Sequence, residues 1–212
     1  MAKNKEIIAV DYDDCVVPFD IPFRNWMHDE HGIDLLSVKA IEGKFHYDEA
    51  YPDSGLTAKE FTELLNQYTL TKSIETPAYE AATEGLTLLV ERYDLQIVTA
   101  RPPTHKAITI ESVKLHFPGI FSDVHTAEYN GDHKMTSKVS TYRKIGAFAA
   151  IDDADHNVNA AIGAGLVGIS IQYPSHNHNG HNLSREAVVA SNLTEVPHLL
   201  SSLTLGSMRH NN

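Results

Sequence analysis

One cysteine in 212 residues, Cys15, is too few for an intrachain disulfide or a cysteine-based zinc cluster. No stretch approaches the roughly 20 apolar residues that a membrane span requires. The opening MAKNKEIIAV carries an apolar run of only four, too short for a secretory signal. Basic residues are in deficit too, with 17 Lys+Arg against 28 Asp+Glu and a net charge of −11. Nucleic-acid polymers and anionic membranes are held through clustered Lys and Arg, so neither is an expected partner. Low-complexity tracts are missing. What remains is the expectation of a soluble cytoplasmic protein, folded as one domain or as one domain with a small insertion.

Short apolar, β-rich runs alternate with helix-length amphipathic segments. The runs are Ile7–Val10, Leu95–Thr99, Val124–Thr126, Ala147–Ile151 and Val167–Ile171, and each suits a parallel strand covered on both faces. Helical spacing is read over Pro77–Tyr93, Thr104–Phe117, Ser137–Ile145 and His156–Ala164. This alternation predicts a doubly wound α/β sheet, Rossmann-like, whose ligands sit beyond the carboxyl ends of its strands. Between the first two strands lie about 60 residues, far more than one crossover helix needs. Two helical patterns there, Pro22–His31 and Thr57–Tyr68, predict a small helical cap at residues 18–76 on a core of 1–17 and 77–205. A ragged surface excursion is the plainer alternative. Residues 206–212 read as a flexible tail.

Four separated polar sites fall at or beside strand ends: Asp11-Tyr12-Asp13-Asp14, Thr99-Ala100-Arg101, Lys138, and Asp152-Asp153 followed by Asn157. In a parallel sheet these ends share one edge, so groups distant in sequence converge. Two carboxylates about 4 Å apart repel by roughly 4 kcal/mol at an effective dielectric of 20, so Asp11, Asp13, Asp152 and Asp153 call for a cation. Hard oxygen ligands suit Mg²⁺, which turns a repulsive site into one that attracts a phosphoryl dianion. Lys138 and the Thr99 hydroxyl add positive charge and a donor. A carboxylate beside metal and phosphorus can attack as a nucleophile, and a second one two residues on can move protons.

This order and content resemble the haloacid dehalogenase superfamily of phosphohydrolases over nearly the whole chain, from Ile7 to about Ile171. IIAVDYDDCV is similar to its first motif, a strand followed by D-x-D-x-T-[LV]; IVTAR is similar to the second; SKVSTYRKIGAFAAIDDADHNVNAAIGAG is similar to the third and fourth combined. The resemblance implies Asp11 as nucleophile and metal ligand, and Asp13 as general acid/base that also lends its backbone carbonyl to the metal. It implies Thr99 and Lys138 as the phosphoryl clamp. Asp153 becomes the direct metal ligand, Asn157 supports it, and Asp152 lies behind it or binds through water. TAR, HFPGIFSDVHTA and the IDD ending are similar to the 5′(3′)-deoxyribonucleotidase-like branch. A small phosphorylated substrate follows as the expected partner, a nucleoside monophosphate first, with Phe19, Arg24 and Trp26 of the cap as candidate contacts. One position departs from the pattern: Cys15 stands where a Thr hydroxyl ordinarily braces the loop, and a thiol is a weaker hydrogen bonder.

Plainer readings accompany each site. Trp26 reads better as core packing than as a stacking platform. Arg101 either touches substrate or caps its loop. Lys134 and Lys144 compete with Lys138, whose 14-residue spacing to Asp152 favours it. Asp14 reads as structural. SHNHNGHN, with His176, His178 and His181, reads as a loop before it reads as a metal site. Two rivals stand against the enzyme. A receiver domain would place its phosphorylated Asp before the Thr and lacks room for the insertion. A catalytically impaired relative, binding a phosphorylated ligand, would suit Cys15.

Overall fold

The computed structural model describes residues 5–38, 40, 41, 47–126, 128, 129, 135–173 and 182–209. Strand β1 (Ile7–Val10) is followed by helices α1 (Asp20–His31), α2 (Tyr47–Ala50) and α3 (Ala58–Thr71) before the chain enters α4 (Glu80–Val90) and β2 (Asp94–Thr99). Then come α5 (Lys106–His116), β3 (Phe121–Thr126), the short hairpin of β4 (Glu128–Tyr129) and β5 (Met135–Ser137), α6 (Val139–Ile145) and β6 (Ala147–Asp152). The fold closes with α7 (Asp155–Gly163), β7 (Val167–Ile171), β8 (Val188–Ala190) and α8 (Val196–Arg209).

The six main strands lie in the order β3-β2-β1-β6-β7-β8, and every pair is parallel. This is the doubly wound α/β sheet expected. The chain winds outward from β1 to β3 and then, from β6 to β8, in the other direction, so the switch point, where ligands bind in such sheets, falls between β1 and β6. Alternation along the strands separates two cores. Ile8, Val10, Ile97, Ile151 and Ile169 pack with Leu86 of α4, Val113 of α5 and Leu200 of α8. Ala9, Val98 and Ala150 point the other way, onto Tyr142 of α6 and Ala161 of α7. Covering both faces is why these strands read as unbroken apolar runs.

The insertion has a core of its own, in which Phe23, Met27, Leu35, Tyr51, Phe61 and Tyr68 are buried together. Gly32 at φ 67° ends α1, a left-handed turn that glycine adopts without cost. Thr57 starts α3 with a full capping box: its side chain accepts the Glu60 N–H, and Glu60 returns a bond to the Thr57 N–H. Trp26 is half-buried between Phe23 and Tyr68, as core packing requires.

Four features were not foreseen: α2, β8, α8 and the β4–β5 hairpin. Met135–Ser137 is extended and α6 begins only at Val139, so the helix expected from Ser137 is shorter at its start. α8 runs to Arg209, into the segment read as a tail. Among the described residues no helix is long and apolar enough to cross a membrane.

Candidate active site

Register builds the site. Val10 pairs with Ile97 of β2 and Ile151 of β6, and the Asp11 N–H donates to the Ile151 carbonyl at 2.8 Å. Asp11 and Asp152 are thereby carried one step past the last β1–β6 pair, side by side at the carboxyl edge. Lys138, the residue that starts α6, reaches into that edge and is 1% exposed. Its Nζ stands 2.6 Å from Asp11 Oδ1 and donates to Asp152 Oδ2 at 2.8 Å. The other Asp152 oxygen accepts from the Ala154 N–H at 3.0 Å and from Asn157 Nδ2 at 3.1 Å. Asp152 is therefore occupied on both oxygens.

Asp153 completes the cluster. Asp11, Asp152 and Asp153 each offer a carboxylate oxygen within 4.8 Å of the other two. Three carboxylates face one ammonium, so negative charge is in excess in a buried place. Burial pushes the Asp11 carboxyl up to about 7; Lys138 opposes the rise and Asp152 adds to it. Burial, then Asp152 and Asp11, likewise drive Asp153 well above the carboxylate range. Lys138 stays protonated, because Asp11 and Asp152 more than offset the burial that works against its charge. Asp11 Oδ1 is buried, with the Lys138 ammonium against it as counter-ion. The donor set, carboxylate oxygens throughout, is of the hard kind that suits a small divalent cation such as Mg²⁺.

Asp13 takes no part in that cluster through its carboxylate. Arg101 holds it in a two-pronged bond, Nη2 to Oδ1 at 2.7 Å and Nε to Oδ2 at 2.8 Å. Thr99, fully buried at the end of β2, accepts the Arg101 N–H at 3.1 Å. Asp14 has a left-handed backbone, φ 57°, and its carboxylate accepts the N–H groups of Phe19 (2.8 Å) and Asp20 (3.1 and 3.2 Å), ahead of α1. It joins the acidic loop to the insertion.

Cys15 is buried in the main core, with its thiol pushed up by burial and by Asp11. The loop around it is braced by the backbone. The Tyr173 hydroxyl donates to the Cys15 carbonyl at 3.1 Å, and the Tyr79 N–H donates to the Val16 carbonyl at 3.1 Å. The two tyrosine rings stack at 4.2 Å. Neither tyrosine was a candidate, and no spacing in the sequence points to them. Phe19 packs on Phe23 and Tyr68, and Arg24 pairs with Asp20 at 2.7 Å on the same helix. The structure thus gathers Asp11, Lys138, Asp152, Asp153 and Asn157 in one network. It puts Asp13, Arg101 and Phe19 in a second and Arg24 in a third. Lys144 is exposed on α6, while Lys134 and the histidines 176, 178 and 181 lie outside the described residues.

No sequence-family profile matches the chain, and no curated protein matches it. Solved structures do. A haloacid dehalogenase-like family hydrolase from Streptococcus pneumoniae superposes with a TM-score of 0.66 at 15% identity, over 92% of this chain and 98% of its own. An HAD family hydrolase from Deinococcus radiodurans, solved with phosphate and sodium, gives 0.66 at 16% identity over 95% and 97%. YfnB from Bacillus subtilis, assigned to the HAD hydrolases and solved with magnesium, gives 0.62 at 17% identity over 94% and 100%. At these identities the likeness is one of fold, and the chain has the fold of the haloacid dehalogenase-like hydrolases.

Proposed function

We propose that the chain is a phosphohydrolase of the haloacid dehalogenase superfamily, Mg²⁺-dependent and acting on small phosphate monoesters. The observation that carries this reading is Lys138 lodged between Asp11 and Asp152, with Asp153 close enough to share a cation. Buried carboxylates in excess of their counter-ion favour bound positive charge, and a cation with an ammonium group beside a nucleophilic oxygen favours a dianion.

Asp11 attacks phosphorus, and the bond to the ester oxygen breaks with its electron pair. Asp13 gives that oxygen a proton, so the product leaves as an alcohol. Water, relieved of a proton by Asp13, then opens the aspartyl-phosphate at phosphorus and regenerates Asp11. Lys138 and Thr99 hold the phosphoryl oxygens through both steps. Asp11, Asp153 and the Asp13 carbonyl would hold Mg²⁺, which supplies charge neutralisation for the transferring group. Asp152 is fully occupied by Lys138, Ala154 and Asn157, which supports a place for it behind the ligands. The insertion serves as the cap, and its Phe19 and Arg24 would meet the leaving group. A nucleoside monophosphate is the first substrate to try.

A phosphate-release screen over nucleoside monophosphates and sugar phosphates, with and without Mg²⁺, tests the reading. Turnover by wild type and none by Asp11→Asn is the expected result. Turnover retained in Asp11→Asn removes Asp11 as nucleophile. Mg²⁺ binding without turnover of any ester makes the chain a binder of phosphorylated ligands.

A further inference from the structure

We propose that Arg101 is a positioning residue for Asp13 and not a contact for the phosphoryl group, an inference that rests on the phosphohydrolase reading above. The guanidinium presents its forked edge, Nε and Nη2, to the two Asp13 oxygens at 2.8 and 2.7 Å. Its Nη1 donates to the Thr109 hydroxyl at 3.3 Å, and that hydroxyl donates in turn to the His105 carbonyl at 2.9 Å. The plane lies 4.9 Å from the Tyr12 ring and 5.8 Å from the Phe19 ring. At 5% exposure, Arg101 is enclosed on its edges and over its face.

A guanidinium that binds a phosphoryl dianion offers it the same fork. Here that fork is committed to Asp13, 88 residues away in sequence, and the third nitrogen is tied down to α5. Each Asp13 oxygen keeps a lone-pair site outside the fork, because a carboxylate offers about four. Arg101 therefore fixes the plane of the carboxylate and leaves it able to meet the ester oxygen. Asp13 sits in the turn after β1, whose backbone is closed by a bridge from Asp13 to Val17, but nothing else among the described residues grips its side chain through a hydrogen bond or ion pair. The fork supplies the precision that proton transfer needs, since a misplaced acid loses most of its effect.

The grip also reaches the insertion. Phe19, which lies over the guanidinium, stacks on Phe23 at 6.0 Å and meets Tyr68 edge-on at 5.3 Å. The ring that steadies Arg101 thus belongs to the aromatic core of the helical segment.

Leaving-group chemistry separates positioning from binding. An alkyl phosphate needs its leaving oxygen protonated; p-nitrophenyl phosphate does not. The constant kcat/KM covers only the steps up to departure of that oxygen, so later hydrolysis of the aspartyl-phosphate does not obscure it. Arg101→Ala is expected to lose about 100-fold in kcat/KM on ethyl phosphate, the size of a general-acid contribution, and about tenfold less than that on p-nitrophenyl phosphate. Asp13→Asn should show the same selectivity, and the double variant should be no worse than Asp13→Asn alone. Arg101→Lys keeps charge and bulk but has no fork, so it should remain selectively impaired at an unchanged melting temperature; it serves if the alanine variant fails to fold. Equal losses on both esters, or losses that add to those of Asp13→Asn, overturn the proposal and return Arg101 to phosphoryl binding. Wild type that hydrolyses neither of these esters nor any nucleoside monophosphate or sugar phosphate overturns the phosphohydrolase reading, and this inference with it.

Discussion

The acidic edge of the sheet and the helical insertion are each built around a cation among aspartates, but on different plans. At the edge, Lys138 spans two carboxylates from β1 and β6, and all three groups are buried. In the insertion, Arg24 pairs with Asp20 one turn away on the same helix, and Tyr47 donates to the second Asp20 oxygen at 2.9 Å. The first network carries surplus negative charge and depends on the tertiary fold. The second is balanced and largely local. A surplus that a bound cation or a retained proton must cancel marks a site, whereas a balanced pair inside an aromatic core marks structure.

Removing the nucleophile should produce the largest effect and set chemistry apart from stability. Asp11→Asn is expected to cut kcat by about 10³-fold or more, as loss of a covalent catalyst does. In metal-free buffer its melting temperature should be no lower than that of wild type, since one of three crowded carboxylates has gone. A melting temperature well below wild type would mean that Asp11 serves the fold.

Lys138→Met reverses that pattern. It leaves Asp11 and Asp152 buried face to face without their ammonium, and breaking a buried pair from one side costs about 3–5 kcal/mol. Urea denaturation should show that loss, with the Lys138→Met/Asp152→Asn double variant recovering part of it. A cost under about 1 kcal/mol, the range of an exposed pair, would show that the edge is wetter than its burial implies.

Mg²⁺ should act on the edge and leave the insertion unmoved. At 100-fold excess over its Kd, a ligand of the folded state adds about 2.7 kcal/mol. A thermal shift with Mg²⁺ that Asp153→Asn abolishes and Arg24→Met preserves would place the cation where the surplus is. An equal shift in Asp153→Asn would move the cation off that residue.

Much of the edge was legible because β-register is rigid. Once Ile7–Val10, Leu95–Thr99 and Ala147–Ile151 are read as parallel strands, their carboxyl ends must meet. Asp11, Thr99 and Asp152 then need no further information to be neighbours. Lys138 followed from its distance to Asp152. What stayed hidden depends on approach between elements. The Arg101–Asp13 fork joins residues 88 apart, and the Tyr173 hydroxyl braces the Cys15 carbonyl from 158 residues away. Strand β8 is three residues long and α8 carries a proline at its second position, so neither has a pattern strong enough to stand out. The β5 strand precedes α6 with only Lys138 between them, and helical spacing from Ser137 concealed it.

Asp14 lies between the two networks, and its response to pH tests which one it serves. Burial, helped by Asp20 and Asp13 and opposed by the Phe19 N–H, lifts its carboxyl to about 8. The folded chain then keeps a proton there that the unfolded chain releases near an ordinary carboxylate value. From about 4 to 8 the unfolded state binds fewer protons, so this group's contribution falls as pH rises, by at most about 1.4 kcal/mol per unit, and is flat above 8. Asp11 has the same sign in the absence of metal, up to about 7. Denaturation in EDTA across that range should show a shallower decline in Asp14→Asn, whose side-chain carbonyl still accepts the N–H groups ahead of α1. An unchanged slope would mean that Asp14 stays ionised and caps α1 as a charged group.

The smallest effect belongs to the insertion's own pair. Arg24→Met removes an i,i+4 partner from Asp20, whose other oxygen keeps the Tyr47 hydroxyl and whose backbone stays tied to Asp14. One Arg24 nitrogen, Nε, is buried without a hydrogen-bond partner among the described residues, so methionine also relieves an unmet donor. These two terms oppose each other, and a net change within about 1 kcal/mol in urea denaturation is the expected outcome. The same variant is informative in turnover. If Arg24 meets a leaving group, kcat/KM for the preferred ester falls while p-nitrophenyl phosphate, with nothing for it to grip, is spared. If both esters are cleaved as by wild type, Arg24 belongs to the insertion's architecture, and the contrast between a charged edge and a self-contained aromatic core becomes complete.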